Sequence, residues 1–273
     1  MTLYRLRFAM RVAYATPFLA DTLCGHICWA ALRTLGRAGL DELIGSARAG
    51  RPLLVLSDGF PGDLLPMPVL LPAPIPEGLG AQRVHYTQEK KRRQASWVTQ
   101  EEFRRMLHGE YIVPAERSPE QEKQLPKGRG ILKNTVNRLT STTPDAEQGG
   151  GLYEFQETFQ PQVTVYAQIA EDYLDTLRNL LVYLAETGYG KRKSIGYGAM
   201  ASPPTLEPFP SFGGPSASEA NAFVSLSTFV PAQGDPTDGS WQVLVKYGKL
   251  GEEFALGENP FKRPLLMLAA GSV

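Results

Sequence analysis

The sequence predicts an α+β protein: a ferredoxin-like β-α-β-β-α-β unit carrying a long insertion, followed by a short β-rich second unit. Three observations predict it. Leu3–Tyr14 and Gln162–Ala167 alternate apolar and polar residues, the period of strands covered on one face. Each is followed by a stretch with apolar residues every three or four positions, the period of a core-facing helix. Between these two halves lie about a hundred residues, from about 61 to 161, that open proline-rich and then turn polar and poorly periodic.

Taken in order, the first strand places Tyr4, Leu6, Phe8 and Met10 on one side, and Thr16-Pro17 breaks it. Asp21 or Thr22 then caps a helix to about Gly36, with Leu23, Ile27, Ala31 and Leu35 as its apolar stripe and Cys24 and Cys28 widening it. At 100° per residue, Thr22, His26, Trp29 and Arg33 share the opposite face. Pro52–Ser57 reads as a second strand. The prolines from Pro61 to Pro76 exclude regular helix. In the rest of the insertion only a short helix around Glu101–Leu107 is expected. Asp172–Glu186 is a helix with Leu174, Leu177, Leu181 and Leu184 on one stripe, ended by Gly188. Tyr197–Ala201 is the expected last strand of a domain over 1–203. The tail, 204–273, offers strands at Ala222–Val230, Gln242–Lys246 and Pro264–Ala269 and no good helix, which makes it a partial second domain.

Composition narrows the function classes. Twenty-eight Lys and Arg balance 28 Asp and Glu in 273 residues. No apolar run reaches the ~18 residues of a membrane span, and charges interrupt the N-terminus where a signal peptide needs an apolar run. A cytoplasmic, membrane-free protein is expected. Two cysteines four apart frame neither a disulfide scaffold nor a zinc site, and no cofactor motif is present. The charge is unevenly placed. Residues 81–133 hold twelve bases against seven acids, and 204–273 hold four against seven. Such asymmetry fits a basic face for an anionic partner and an acidic surface for a protein.

The sharpest local signal is Gly188-Tyr189-Gly190-Lys191-Arg192-Lys193-Ser194-Ile195-Gly196-Tyr197-Gly198. Glycine lets backbone amides converge on phosphate oxygens, the bases add charge, and Tyr189 and Tyr197 offer stacking faces. It is neither a Walker loop nor a dinucleotide fingerprint, since it follows a helix and lacks the required frame. Lys90-Lys91-Arg92-Arg93, with Trp97 nearby, is a second basic candidate; a solvated face explains it equally well. His85 and His108 are expected at the surface.

The glycine loop resembles that of the RAMP superfamily of CRISPR-associated RNA-binding proteins. Asp21–Ala30, Leu65-Pro66-Met67-Pro68, and Asn134–Thr140 followed by Gly151-Leu152-Tyr153 are similar to motifs of one branch, the fourth subunits of type III-A (Csm) effector complexes. Met67 stands where that branch has Lys, and Asn134 near where it often has His. The resemblance implies two ferredoxin-like domains and a non-catalytic cap that grips the crRNA 5′ tag. Its implied partners are the large polymerase/cyclase-like subunit and the first backbone subunit. It adds Asn137 and Arg138 to the RNA-binding candidates. Two other classes compete: a metal-independent crRNA-processing endoribonuclease using His26 as acid/base, and an adaptor touching only protein. The resemblance to a non-cleaving branch favours a His26 that packs or hydrogen-bonds rather than cleaves, and it places His26, Trp29 and Arg33, on that helix's polar face, among the RNA-binding candidates, with Trp29 able to stack on a base.

Overall fold

The computed structural model describes residues 1–143, 151–236 and 238–273. In chain order, β1 (Thr2–Ala9), α1 (Ala20–Thr34), α2 (Gly36–Arg48), β2 (Leu54–Leu56) and β3 (Phe60–Pro61) come first. The insertion holds β4 (Leu65–Pro66), α3 (Leu79–Gln94), β5 (Trp97–Val98), α4 (Gln100–Leu107), α5 (Pro119–Gln124), β6 (Lys127–Asn134) and β7 (Leu152–Phe159). Then follow β8 (Gln162–Ile169), α6 (Leu174–Thr187) and β9 (Thr205–Pro208), and in the tail β10 (Val243–Lys246) and β11 (Leu265–Leu268). The fold is α+β.

The main sheet runs β2-β8-β1-β9 with every neighbour antiparallel, so β1 and β2 are parallel with β8 between them. That is the split β-α-β order. One face buries Leu6, Phe8, Val163 and Val165 against Leu23 and Ile27 of α1 and Leu177, Leu181 and Leu184 of α6. Each of these side chains contributes on the order of 2 kcal/mol by leaving water. The other face is covered by the insertion and tail: Tyr166 of β8 packs with Phe60, Leu65, Phe103 and Met106, and Phe209 and Phe212 close over it.

Five expectations fail here. The fourth strand is Thr205–Pro208, not Tyr197–Ala201, where only Met200 bridges to Met10. Arg5 and Arg7 of β1 meet Glu207 of β9 and Asp63, so charge pairing draws that strand onto the edge. The insertion contains a sixteen-residue helix, α3, and an eight-residue-per-strand hairpin, β6–β7. The α3 helix buries His85, Glu89 and Arg92, a polar stripe that an apolar-period reading passes over, and it takes His85 off the surface. Ala222–Val230 is not a strand; Phe229 makes one bridge, to Leu268. Finally, α1 starts at Ala20 without a cap from Asp21 or Thr22: buried Asp58 accepts from the Ala20 amide (2.7 Å) and from the amide and hydroxyl of Thr228 (3.0 and 2.6 Å). One carboxylate thus ties α1 to the tail.

Candidate nucleic-acid interface

Gly188 ends α6 at φ +79°, and the chain doubles back between α1 and the β6–β7 hairpin. Gly190, Gly196 and Gly198 also have positive φ. At Gly198 the requirement is absolute, because a Cβ there would overlap the Tyr189 carbonyl.

Most loop amides are engaged inside the protein. The Tyr189 amide donates to the Gly198 carbonyl, Gly190 to His26 Nε2 (3.0 Å), Lys191 to Thr16 Oγ1 (2.9 Å) and Gly198 to the Ala13 carbonyl. Three are not: among the described residues, no acceptor meets the amides of Arg192, Lys193 and Ser194. Arg192 is left-handed (φ 62°, ψ 22°), and Lys193 opens a single 3-10 turn. A left-handed residue followed by a right-handed one aims three successive N–H groups into one concavity, an anion nest.

Cations surround it. Arg192, Lys133 and Lys191 converge on the ring of Phe155, with their charged ends 4.2, 4.3 and 5.5 Å from its centroid. Arg192 also donates to the Tyr153 hydroxyl (3.1 Å) and Lys133 to that of Tyr197 (3.1 Å). Lys133, Tyr153 and Phe155 are additions to the sequence reading. Their signal is alternation: Arg129, Ile131 and Lys133 on β6 pair with Glu157, Phe155 and Tyr153 on β7, so one face of the hairpin meets the loop.

The structure redistributes the other candidates. Tyr189 is fully buried; its ring stacks on Phe18 (centroids 3.8 Å apart, 12° between planes) and its hydroxyl donates to the Pro17 carbonyl. It is a core residue, not a stacking face for a base, and burial holds its phenol protonated well above the usual range. Tyr197 stays partly exposed beside Phe155, and Ser194 and Gly196 are exposed at the loop tip. In the second basic run, Lys90, Lys91 and Arg93 are exposed, but Arg92 is buried against Glu89 (3.4 Å) and over the Tyr111 ring. Trp97 packs in the second apolar cluster. Among the described residues, no hydrogen bond or ion pair joins this run to the glycine loop. Asn137 and Arg138 lie just beyond Lys133; Asn137 organises the turn by accepting from the Leu139 amide, and Arg138 is exposed.

The polar stripe of α1 is occupied. His26 Nε2 accepts from Gly190, and burial together with the Lys193 charge pushes its pKa down to about 4. The other three residues meet the tail. Lys246 pairs with Asp21 and donates to Thr22 Oγ1 (2.7 Å). Arg33 pairs with Glu253 (2.7 Å), and Phe254 lies against Trp29 (centroids 5.9 Å apart). Next to them Lys193 pairs with Glu252 (2.5 Å), whose carboxyl is held below the usual range by that hydrogen bond. Among the described residues no cluster of three metal-ligating side chains occurs, and no helix is long and apolar enough to cross a membrane.

Three-dimensional comparison finds this architecture in solved assemblies. A chain of a Csm1–Csm4 cassette in complex with cA4 superposes with a TM-score of 0.64 at 15% identity, covering all of this chain and 86% of that one. A chain of a Csm3–Csm4 subcomplex of the type III-A CRISPR–Cas interference complex gives 0.63 at 14% identity, covering all of this chain and 92% of that one. The fold is Csm4-like. No protein-family model matches the sequence, and no curated protein does. At such identities the likeness carries the fold alone; the chemistry rests on the loop and hairpin just described.

Proposed function

We propose that this chain is the RNA-binding cap subunit of a type III CRISPR effector complex. It holds the 5′ tag of crRNA, joins it to the large polymerase/cyclase-like subunit and the first backbone subunit, and leaves RNA uncut. One observation carries the RNA part of the reading: three unengaged amides at Arg192–Ser194, ringed by Lys133, Lys191 and Arg192 with Tyr153 and Tyr197 beside them. Amide nests bind phosphate oxygens, cations neutralise phosphates, and exposed aromatics stack on splayed bases. The assembly part is supported by Csm4 being the subunit named in both assemblies of like fold. In this reading the tail ribbon β10–β11 is a short second ferredoxin-like domain, and the protein works in the cytoplasm.

The non-cleaving part is supported by His26. A general acid/base works best with a pKa near the operating pH and a nitrogen within reach of the reacting proton. His26 has Nε2 engaged by Gly190 and a pKa near 4. The test is photocrosslinking of crRNA in the assembled particle, with a parallel incubation of the purified protein with labelled repeat RNA in EDTA. Crosslinks from the tag to Lys191–Ser194 and the Lys133 strand, with intact repeat RNA, are expected. Tag crosslinks that bypass the loop overturn the site; discrete cleavage that vanishes in His26→Ala promotes the ribonuclease.

A further inference from the structure

Resting on that RNA-binding reading, we propose that Arg33, Trp29 and Lys193 form a latent second seat for single-stranded RNA. In the free chain Glu252, Glu253 and Phe254 fill it as an internal nucleic-acid mimic. The seat has what one stacked base and two phosphates require: an indole, a guanidinium and an ammonium at the edge of the amide nest. The Arg33 guanidinium lies 5.6 Å from the Trp29 ring centroid. The tail supplies the matching shape. Its two consecutive carboxylates take the two cations, and its phenyl ring takes the indole. At Gly251 the tail backbone passes close to Trp29; a Cβ there would lie 3.1 Å from the indole nitrogen.

The mimic is lightly held. None of Glu252–Leu256 is buried, and Leu256 and Phe261 stand in solvent. Between β10 and β11 the described residues form no strand; the two arms meet at the bridge Lys249–Phe261, with backbone hydrogen bonds from Leu250 to Pro260 and from Lys262 to Gly248. Glu252 has φ +51°, a left-handed conformation that a non-glycine residue adopts at a cost. A segment with few buried contacts and a strained residue at its charge contact opens more readily than the sheet beneath it. RNA phosphates then replace carboxylates on the same cations, so binding at the nest and release of the tail are coupled. A free subunit with its seat filled by its own tail discriminates against stray RNA.

The test compares wild-type chain with the E252Q/E253Q/F254A variant, using a short labelled single-stranded RNA and a thermal-unfolding control for folding. Two exposed ion pairs and one ring contact predict roughly five- to twentyfold tighter binding by the variant. Adding R33A is expected to reverse most of that gain, because it removes a phosphate contact from the opened seat. Equal or weaker binding by a folded variant overturns the mimic and leaves the RNA reading standing. A gain that survives R33A also overturns it. Failure of both chains to bind overturns the RNA reading with it.

Discussion

His26 offers the most direct measurement of how the loop is held. Its Nε2 accepts the Gly190 amide, so the imidazole must be neutral for the contact to exist. Adding a proton there breaks the hydrogen bond and places a charge in a buried site beside Lys193. The fall from 6.5 to about 4 corresponds to about 3 kcal/mol, at 1.36 kcal/mol per tenfold change in proton affinity. The sign follows from proton counting. Between pH 4 and 6.5 the unfolded chain binds a proton at this residue and the folded chain does not, so folding stability falls as pH drops through that window. Above pH 6.5 the contribution is constant. The assay is titration of the imidazole and of the Gly190 amide by heteronuclear NMR, paired with chemical unfolding at pH 7 and pH 4.5. Both resonances are expected to move together below pH 5. In His26→Ala the part-buried Gly190 amide loses its acceptor, costing about 1 kcal/mol at pH 7, and the stability difference between the two pH values shrinks. An imidazole that titrates between 6 and 7 while Gly190 stays still would refute the clamp.

Three further outcomes are expected. Lys133→Ala combined with Arg192→Ala removes two cations from the nest, so the slope of log affinity against log salt for single-stranded RNA should fall by about 1.4; an unchanged slope places the RNA elsewhere. Gly198→Val forces a Cβ into the Tyr189 carbonyl at φ +67°, so RNA binding should drop while far-ultraviolet circular dichroism keeps its native shape. Asp58→Ala orphans three donors that tie α1 to the tail, which predicts a loss of about 3 kcal/mol or more in chemical unfolding.

Elements whose burial is apolar were readable from the sequence. The stripes of α1 and α6 and the alternation of β1 and β8 name Leu23, Ile27, Ala31, Leu177, Leu181, Leu184, Leu6, Phe8, Val163 and Val165, all in the core; Leu35 and Cys24, which the α1 stripe also named, are exposed, Leu35 at the junction of α1 and α2. Elements held by charge were not. Strand β9 has Leu206 as its one large apolar residue and is drawn in by Arg5 and Arg7, and α3 hides a histidine, a glutamate and an arginine. Both break the rule that periodicity reads apolar faces. The loop shows the same division. Gly188, Gly190, Gly196 and Gly198 sit at positive φ, the conformation that glycine permits. Yet nothing local distinguishes Tyr189 from Tyr197. The first is buried because Gly188 turns it under α6 onto Phe18; the second faces the hairpin that the insertion supplies.

The polar stripe of α1 shows what periodicity leaves open. The 100° rule put Thr22, His26, Trp29 and Arg33 on one face, and they are on one face. It says nothing of what lies opposite. The partner of His26 is 164 residues away, that of Thr22 is 224 and that of Arg33 is 220. The charge arithmetic contained the missing half. The basic stretches and the acidic tail read as two surfaces for two external partners, one anionic and one protein. In the fold, part of each faces the other: Arg33 and Lys193 are answered by Glu253 and Glu252 before any partner arrives. Net neutrality in this chain is therefore partly local neutrality at the seam. The basic surface that the proposed RNA would meet is smaller than the sequence suggests, centred on Lys133, Lys191 and Arg192, and the proposed release of the tail would enlarge it by two cations.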